Sequence, residues 1–233
     1  MFTSGAFIIG IITMIFSYAV SARLKSKFKK YSKLQLRSGL SGREIAELML
    51  RDNNISDVQI LSVEGKLTDH YNPMNKTVNL SPEVYHGKNA ASAAIAAHEC
   101  GHAVQHATSY SMLSLRSSLV PFQNASGKIL NAVVLMSIFG GSFLYSAFPF
   151  EQVIMLVIAV YGMMTLFTVV TLPVEFDASN RALAWIEERK IFEREEHSAA
   201  KDALWWAAMT YVIAALGSIA TLFYYVSLLT GRD

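Results

Sequence analysis

The sequence predicts a mainly α, integral membrane protein, with about four transmembrane helices and a small α+β domain on one side of the bilayer. Three observations predict it. The 233 residues are 52% hydrophobic with a mean hydropathy of +0.32, too apolar for one ordinary soluble domain. Residues 5–22, 129–148, 153–172 and 207–229 are almost free of charge, and each run is long enough to cross a hydrocarbon core. Residues 23–127 and 173–206, by contrast, have the charged composition of water-exposed chain.

The first run has no basic residue before it, and Arg23, Lys25, Lys27, Lys29, Lys30 and Lys33 directly after it. A secretory signal has the opposite arrangement, so the expectation is an uncleaved helix whose carboxyl end is cytoplasmic. In the region that follows, Ser41-Gly42-Arg43-Glu44 is a capping box opening a helix with Ile45, Leu48 and Met49 on one side. Val58 to Val63 and Thr77 to Leu80 read as short strands, with Asn72-Pro73-Met74-Asn75 as the turn before the second. An exposed edge of that sheet can receive an extended peptide by strand addition. Asn89 caps a helix from Ala90 to about Thr108. The runs 129–148 and 153–172 are joined by only four residues and form a transmembrane hairpin, which returns 173–206 to the side of 23–127. A charged helix from about Val174 to Glu196 then leads to the last run.

Residues 98–102, His-Glu-Cys-Gly-His, carry the chemistry. On a helix, His98 and His102 are one turn apart on one face and can grip a single ion. Glu99, about 100° round the helix, reaches water on that ion without ligating it, the position of a general base. The helix also carries Ser92, Gln105 and His106, too polar a set for a lipid-facing span, which argues against a site at mid-bilayer. Cys100 points away from the ligand face and reads as a small buried thiol; as the only cysteine it excludes an internal disulfide and fits a reducing compartment. A net charge of +2 implies no polyanionic partner and no nucleic acid.

A catalytic zinc needs a third protein ligand. Gln105 and Thr108 stand where a third-histidine pattern needs Gly and His, and His106 is more than two turns from His98 and off its line. His70 and His86 sit in turn-like surroundings and read as polar surface. Glu175 is the better candidate, by charge and by its place beside the membrane on the same side as the histidines. Asp177, its rival, lies about 200° round the helix, so only one of the two can face the metal. Ser179 shares the face of Glu175 and can hydrogen-bond a liganding group. Tyr71, His70 and Arg181 are candidates to stabilise an oxyanion by chemistry alone.

Leu67-Thr-Asp-His-Tyr71, Leu80-Ser-Pro-Glu-Val-Tyr-His-Gly87, Ala96-Ala-His-Glu-Cys-Gly-His-Ala-Val-Gln-His106, Leu115-Arg-Ser-Ser-Leu-Val-Pro121 and Leu172-Pro-Val-Glu-Phe-Asp-Ala-Ser-Asn-Arg-Ala182 together resemble the bacterial membrane-bound neutral zinc metallopeptidases of YugP type. The likeness covers nearly the whole chain. More distantly, the order of zinc helix, transmembrane hairpin and Glu-bearing helix is similar to the HtpX-type and CAAX prenyl protease-type enzymes. The resemblance implies His98, His102 and Glu175 as ligands of Zn2+ and Glu99 as general base. The distant relatives usually carry Asp one turn after the ligand glutamate, where this chain has Ser179.

The resulting expectation is a multi-pass zinc metalloendopeptidase of the cell (inner or plasma) membrane, gluzincin-like in its motif plus Glu, with a zincin-like catalytic region on the cytoplasmic side. Its partners are the lipid bilayer and a polypeptide substrate, membrane proteins among them, with membrane protein quality control as the expected role. The alternative expectation is a catalytically silent scaffold in which zinc ties the two polar segments together.

Overall fold

The computed structural model describes residues 4–140 and 146–231. Its helices are α1 (Ser4–Tyr31), α2 (Gly42–Asp52), α3 (Pro82–Tyr85), α4 (Ala90–Ala107), α5 (Ser111–Phe139), α6 (Phe150–Arg189) and α7 (Arg194–Leu229). Between α2 and α3 lie strands β1 (Gln59–Ser62), β2 (His70–Asn72) and β3 (Thr77–Leu80). The chain divides into two compact units, each described separately. One gathers Met1–Ala19, Leu115–Leu172 and Thr210–Asp233; the other gathers Val20–Ser114 and Pro173–Met209.

The first unit is helical and apolar. Among the described residues, three helices, α1, α6 and α7, are long and apolar enough to cross a membrane. On α1, Phe7, Ile8, Ile12, Met14, Ile15 and Phe16 are exposed, a surface suited to lipid rather than water. Gly217 lets α7 approach α1 closely, since a Cβ there would lie 2.4 Å from the Thr13 methyl. Thr168 and Ser218 hydroxyls meet at 2.9 Å and tie α6 to α7. Of the expected run 129–148, the portion to Phe139 lies on α5, and part of the remainder falls outside the described residues.

The helices run past the apolar stretches they contain. The one holding residues 5–22 continues through the basic cluster to Tyr31, and the one holding residues 207–229 begins at Arg194. Residues from Leu115 onward, placed with the polar region by composition, cluster with the apolar unit. No helix starts after Pro173: α6 runs unbroken from Phe150 to Arg189 with Pro173 inside it. Proline removes one backbone N–H and disfavours a helical predecessor, which is why sequence reading ends a helix there. Here the helix is long and packed on both sides of the residue, and it absorbs one missing bond. The break comes instead at Lys190, whose backbone is left-handed with φ of 53°.

The second unit is built on local signals legible in the chain. Ser41 Oγ accepts from the Glu44 amide at 3.3 Å while Glu44 Oε2 accepts from the Ser41 amide at 2.8 Å, completing the capping box of α2. Asn89 Oδ1 accepts from the Ser92 amide at 3.0 Å and starts α4. The sheet has order β1-β3-β2, with β1 parallel and β2 antiparallel to the central β3. Val78 and Leu80 of β3 join Ile45 and Met49 of α2 and the alanine face of α4 in one core, with Ala182 and Ile186 of α6. At the far end, Asp52 closes α2 against α6 by accepting from the Trp185 indole at 2.8 Å and pairing with Arg189. The Arg189 hydrogen bond, outweighing burial, holds the Asp52 carboxyl below its usual range.

Candidate metal centre

The alanine-rich stretch before the motif makes α4 thin, and Gly101 makes it thinner still at one level. A Cβ on Gly101 would lie 2.5 Å from the Ala178 carbonyl oxygen of α6. The two helices therefore meet backbone to backbone beside the motif, and this close approach carries a carboxylate from α6 to the histidines of α4.

That carboxylate is Glu175, 2% exposed. Its Oε2 lies 3.3 Å from His98 Nε2 and 3.6 Å from His102 Nε2, and among the described residues it has no hydrogen-bond partner. One ligand atom from each of the three residues falls within 4.8 Å of the others, so the group can hold a metal ion. The spacing suits zinc: four ligands at about 2.0–2.1 Å in a tetrahedron stand roughly 3.3–3.4 Å apart. A buried, unpartnered carboxylate oxygen is costly unless something positive occupies its front. Burial works against charge on Glu175, which lies beyond the apolar run, but His102 and His98 outweigh it and hold the carboxyl well below its usual range. It is an anion at neutral pH, as a metal ligand must be.

The far sides of the imidazoles are also held. His98 Nδ1 is 3.1 Å from Ser179 Oγ, one turn along α6 from Glu175. His102 Nδ1 is 3.0 Å from Gln105 Oε1, and Gln105 Nε2 donates to the Val174 carbonyl at 2.7 Å and to Asp177 Oδ2 at 2.8 Å. Because the Gln105 NH2 faces two acceptors, its oxygen must face His102, which puts an imidazole proton on Nδ1 and leaves Nε2 to face Glu175. Asp177, the rival ligand, thus faces Gln105 and also accepts from Arg181 Nε at 2.5 Å. Sequence reading placed Ser179 here but passed over Gln105, noted only for failing a third-histidine pattern. Its spacing of three residues after His102 on a helix was the available signal. Gln105→Leu is expected to lower zinc affinity about 10- to 100-fold, measured by competition with a chromogenic chelator, with little loss of helicity.

Glu99 stays outside the ligand group. Its Oε2 accepts from the Tyr71 amide of β2 at 3.0 Å, so an edge strand fixes its carboxylate. The oxyanion candidates are all engaged. The Tyr71 hydroxyl is 2.7 Å from His106 Nδ1, and burial pushes its pKa up to about 12, so it stays neutral. His70 Nδ1 is 2.7 Å from the Thr68 carbonyl, and Arg181 lies over the Tyr110 ring as well as on Asp177. Cys100 is fully buried, its Sγ 3.7 Å from the Ala46 carbonyl, and burial pushes the thiol up, leaving an unreactive packing residue.

The protein combines helices long and apolar enough to cross a membrane with a buried cluster of two α4 histidines and one α6 carboxylate that can hold a metal ion. Comparison agrees: residues 6–230 match the family described as "Putative neutral zinc metallopeptidase", and the chain belongs to that family. It is 39% identical over 218 residues, 93% of each chain, to the protein called "Putative membrane protease YugP" of Bacillus subtilis (strain 168). No solved structure matches the chain.

Proposed function

We propose that the chain is a membrane-embedded zinc metalloendopeptidase in which His98, His102 and Glu175 hold the metal and Glu99 is the general base. The observation carrying this reading is the convergence of the three ligand atoms, with Oε2 of Glu175 buried and unpartnered between two imidazoles. Zinc, when bound, supplies a Lewis acid that acidifies water and polarises a peptide carbonyl. Glu99 takes the proton from the attacking water as the carbon–oxygen bond forms, then passes it to the amine nitrogen as the carbon–nitrogen bond breaks. The Tyr71 amide holds the Glu99 carboxylate in place for both transfers, while Ser179 and Gln105 keep the two imidazoles oriented. The β2 edge beside Glu99 offers main-chain groups to an extended substrate.

The basic cluster after the first apolar run supports a cytoplasmic site in the cell membrane, facing substrates that include membrane proteins. Quality control of such proteins is the role this location suits, and four membrane crossings, at residues 5–22, 129–148, 153–172 and 207–229, are the topology that goes with it. The test is metal removal. The purified full chain in detergent is expected to contain one zinc per chain, to hydrolyse an unfolded protein substrate, to lose that activity on dialysis against a chelator, and to regain it on addition of zinc. Hydrolysis that survives complete metal removal would sink the reading.

A further inference from the structure

Tyr71 of β2 is tied to α4 at both of its ends. Its amide donates to Glu99 Oε2 at 3.0 Å, and its hydroxyl meets His106 Nδ1 at 2.7 Å. His106 follows Glu99 by seven residues, about 20° short of two full turns, so both stand on one face of α4 about 10 Å apart along its axis. β2 is an edge strand of only three residues. A single attachment would let it pivot on α4, and the second one stops it.

Packing does not hold the Tyr71 ring by itself. The ring leans on the core, yet it also borders an open cavity of about 350 Å³ that His106, Asp57, Lys76 and Val58 line with it. A side chain facing a cavity lacks contacts on that side, so a hydrogen bond decides where it rests. Asp57 and Lys76 are poor substitutes for His106, because they pair with each other at 2.5 Å. The neutral hydroxyl can donate to an imidazole nitrogen or accept from one, so the link holds in either tautomer. The metal ligands do not use His106, since Ser179 and Gln105 orient the two liganding imidazoles.

We propose that His106 is a positioning residue for the general base: through the Tyr71 hydroxyl it fixes β2 on α4, and with it the amide that orients the Glu99 carboxylate. The proposal rests on the peptidase reading above. Its carrying observation is that one residue of β2 is bonded to Glu99 and to His106 on a single face of α4. His106 acts through Tyr71 and touches neither substrate nor reacting atoms, so its loss lowers kcat and leaves KM unchanged.

The experiment uses the zinc-loaded full chain in detergent and compares the native sequence with His106→Ala, Tyr71→Phe, the double variant and His106→Asn, whose amide can stand where Nδ1 stood. Two quantities are read in each: kcat and KM on an unstructured fluorogenic peptide, per bound zinc, and hydrogen exchange at the Tyr71 amide by mass spectrometry. His106→Ala and Tyr71→Phe are each expected to lower kcat by about tenfold with KM and zinc stoichiometry unchanged. The double variant should fall no further than either single one, because both remove the same link. Exchange at the Tyr71 amide should quicken about tenfold in these three variants, and His106→Asn should restore most of both readouts. An unchanged kcat in His106→Ala, losses that multiply in the double variant, or a rise in KM alone overturns the positioning role and leaves the peptidase intact. A native chain that hydrolyses nothing overturns the peptidase reading; the exchange then decides the link from His106 to Glu99 separately, since an amide that exchanges alike in native and His106→Ala proteins overturns that too.

Discussion

Glu99→Gln is expected to cut peptide hydrolysis by about 10²- to 10⁴-fold while zinc content and folding stay as they are. The amide has the shape of the carboxylate, and its oxygen can still accept from the Tyr71 amide, so the contact between α4 and β2 survives. Lost is the capacity to hold a proton between the attacking water and the leaving amine. The measurement is kcat on a fixed peptide, with zinc counted in the same sample. An unchanged kcat would favour the silent scaffold, in which zinc joins α4 to α6 and Glu99 has no chemical task; in that case the biological effect of the protein would also persist in the variant.

Glu175→Gln is expected to lose the metal itself. A neutral amide is a poor zinc ligand, and the buried position leaves no solvent to replace the missing charge. The fall in zinc affinity should exceed the roughly 10- to 100-fold cost of removing a hydrogen-bonded partner of a ligand, and hydrolysis should fall with it. Asp177→Asn is the control, because it stands two residues away with its carboxylate on Gln105 and Arg181. It is expected to weaken zinc binding only within that smaller range. Retention of zinc by Glu175→Gln together with its loss from Asp177→Asn would reverse the assignment between the two carboxylates.

The local elements were readable because their causes are local. The Ser41–Glu44 capping box, the Asn89 cap, the turn at 72–75 and the one-turn spacing of His98 and His102 all depend on residues within four positions of one another. Boundaries set by packing were not: Pro173 carried a true local signal, yet α6 passes through it, since contacts on both sides outweigh one missing hydrogen bond.

For the candidate metal centre, the sequence by itself offered the two histidines, the adjacent glutamate and a short choice of third ligands, Glu175 or Asp177, that helix geometry made mutually exclusive. Only the tertiary structure decided which carboxylate faces the imidazoles and what holds those imidazoles from behind. The physical reason is the closeness of α4 and α6, which Gly101 permits under the Ala178 carbonyl. At that approach, Glu175 and Ser179 turn to His98, Asp177 turns to Gln105, and Gln105 fixes His102. Residues more than seventy positions apart meet through a backbone contact that no spacing within either helix can announce.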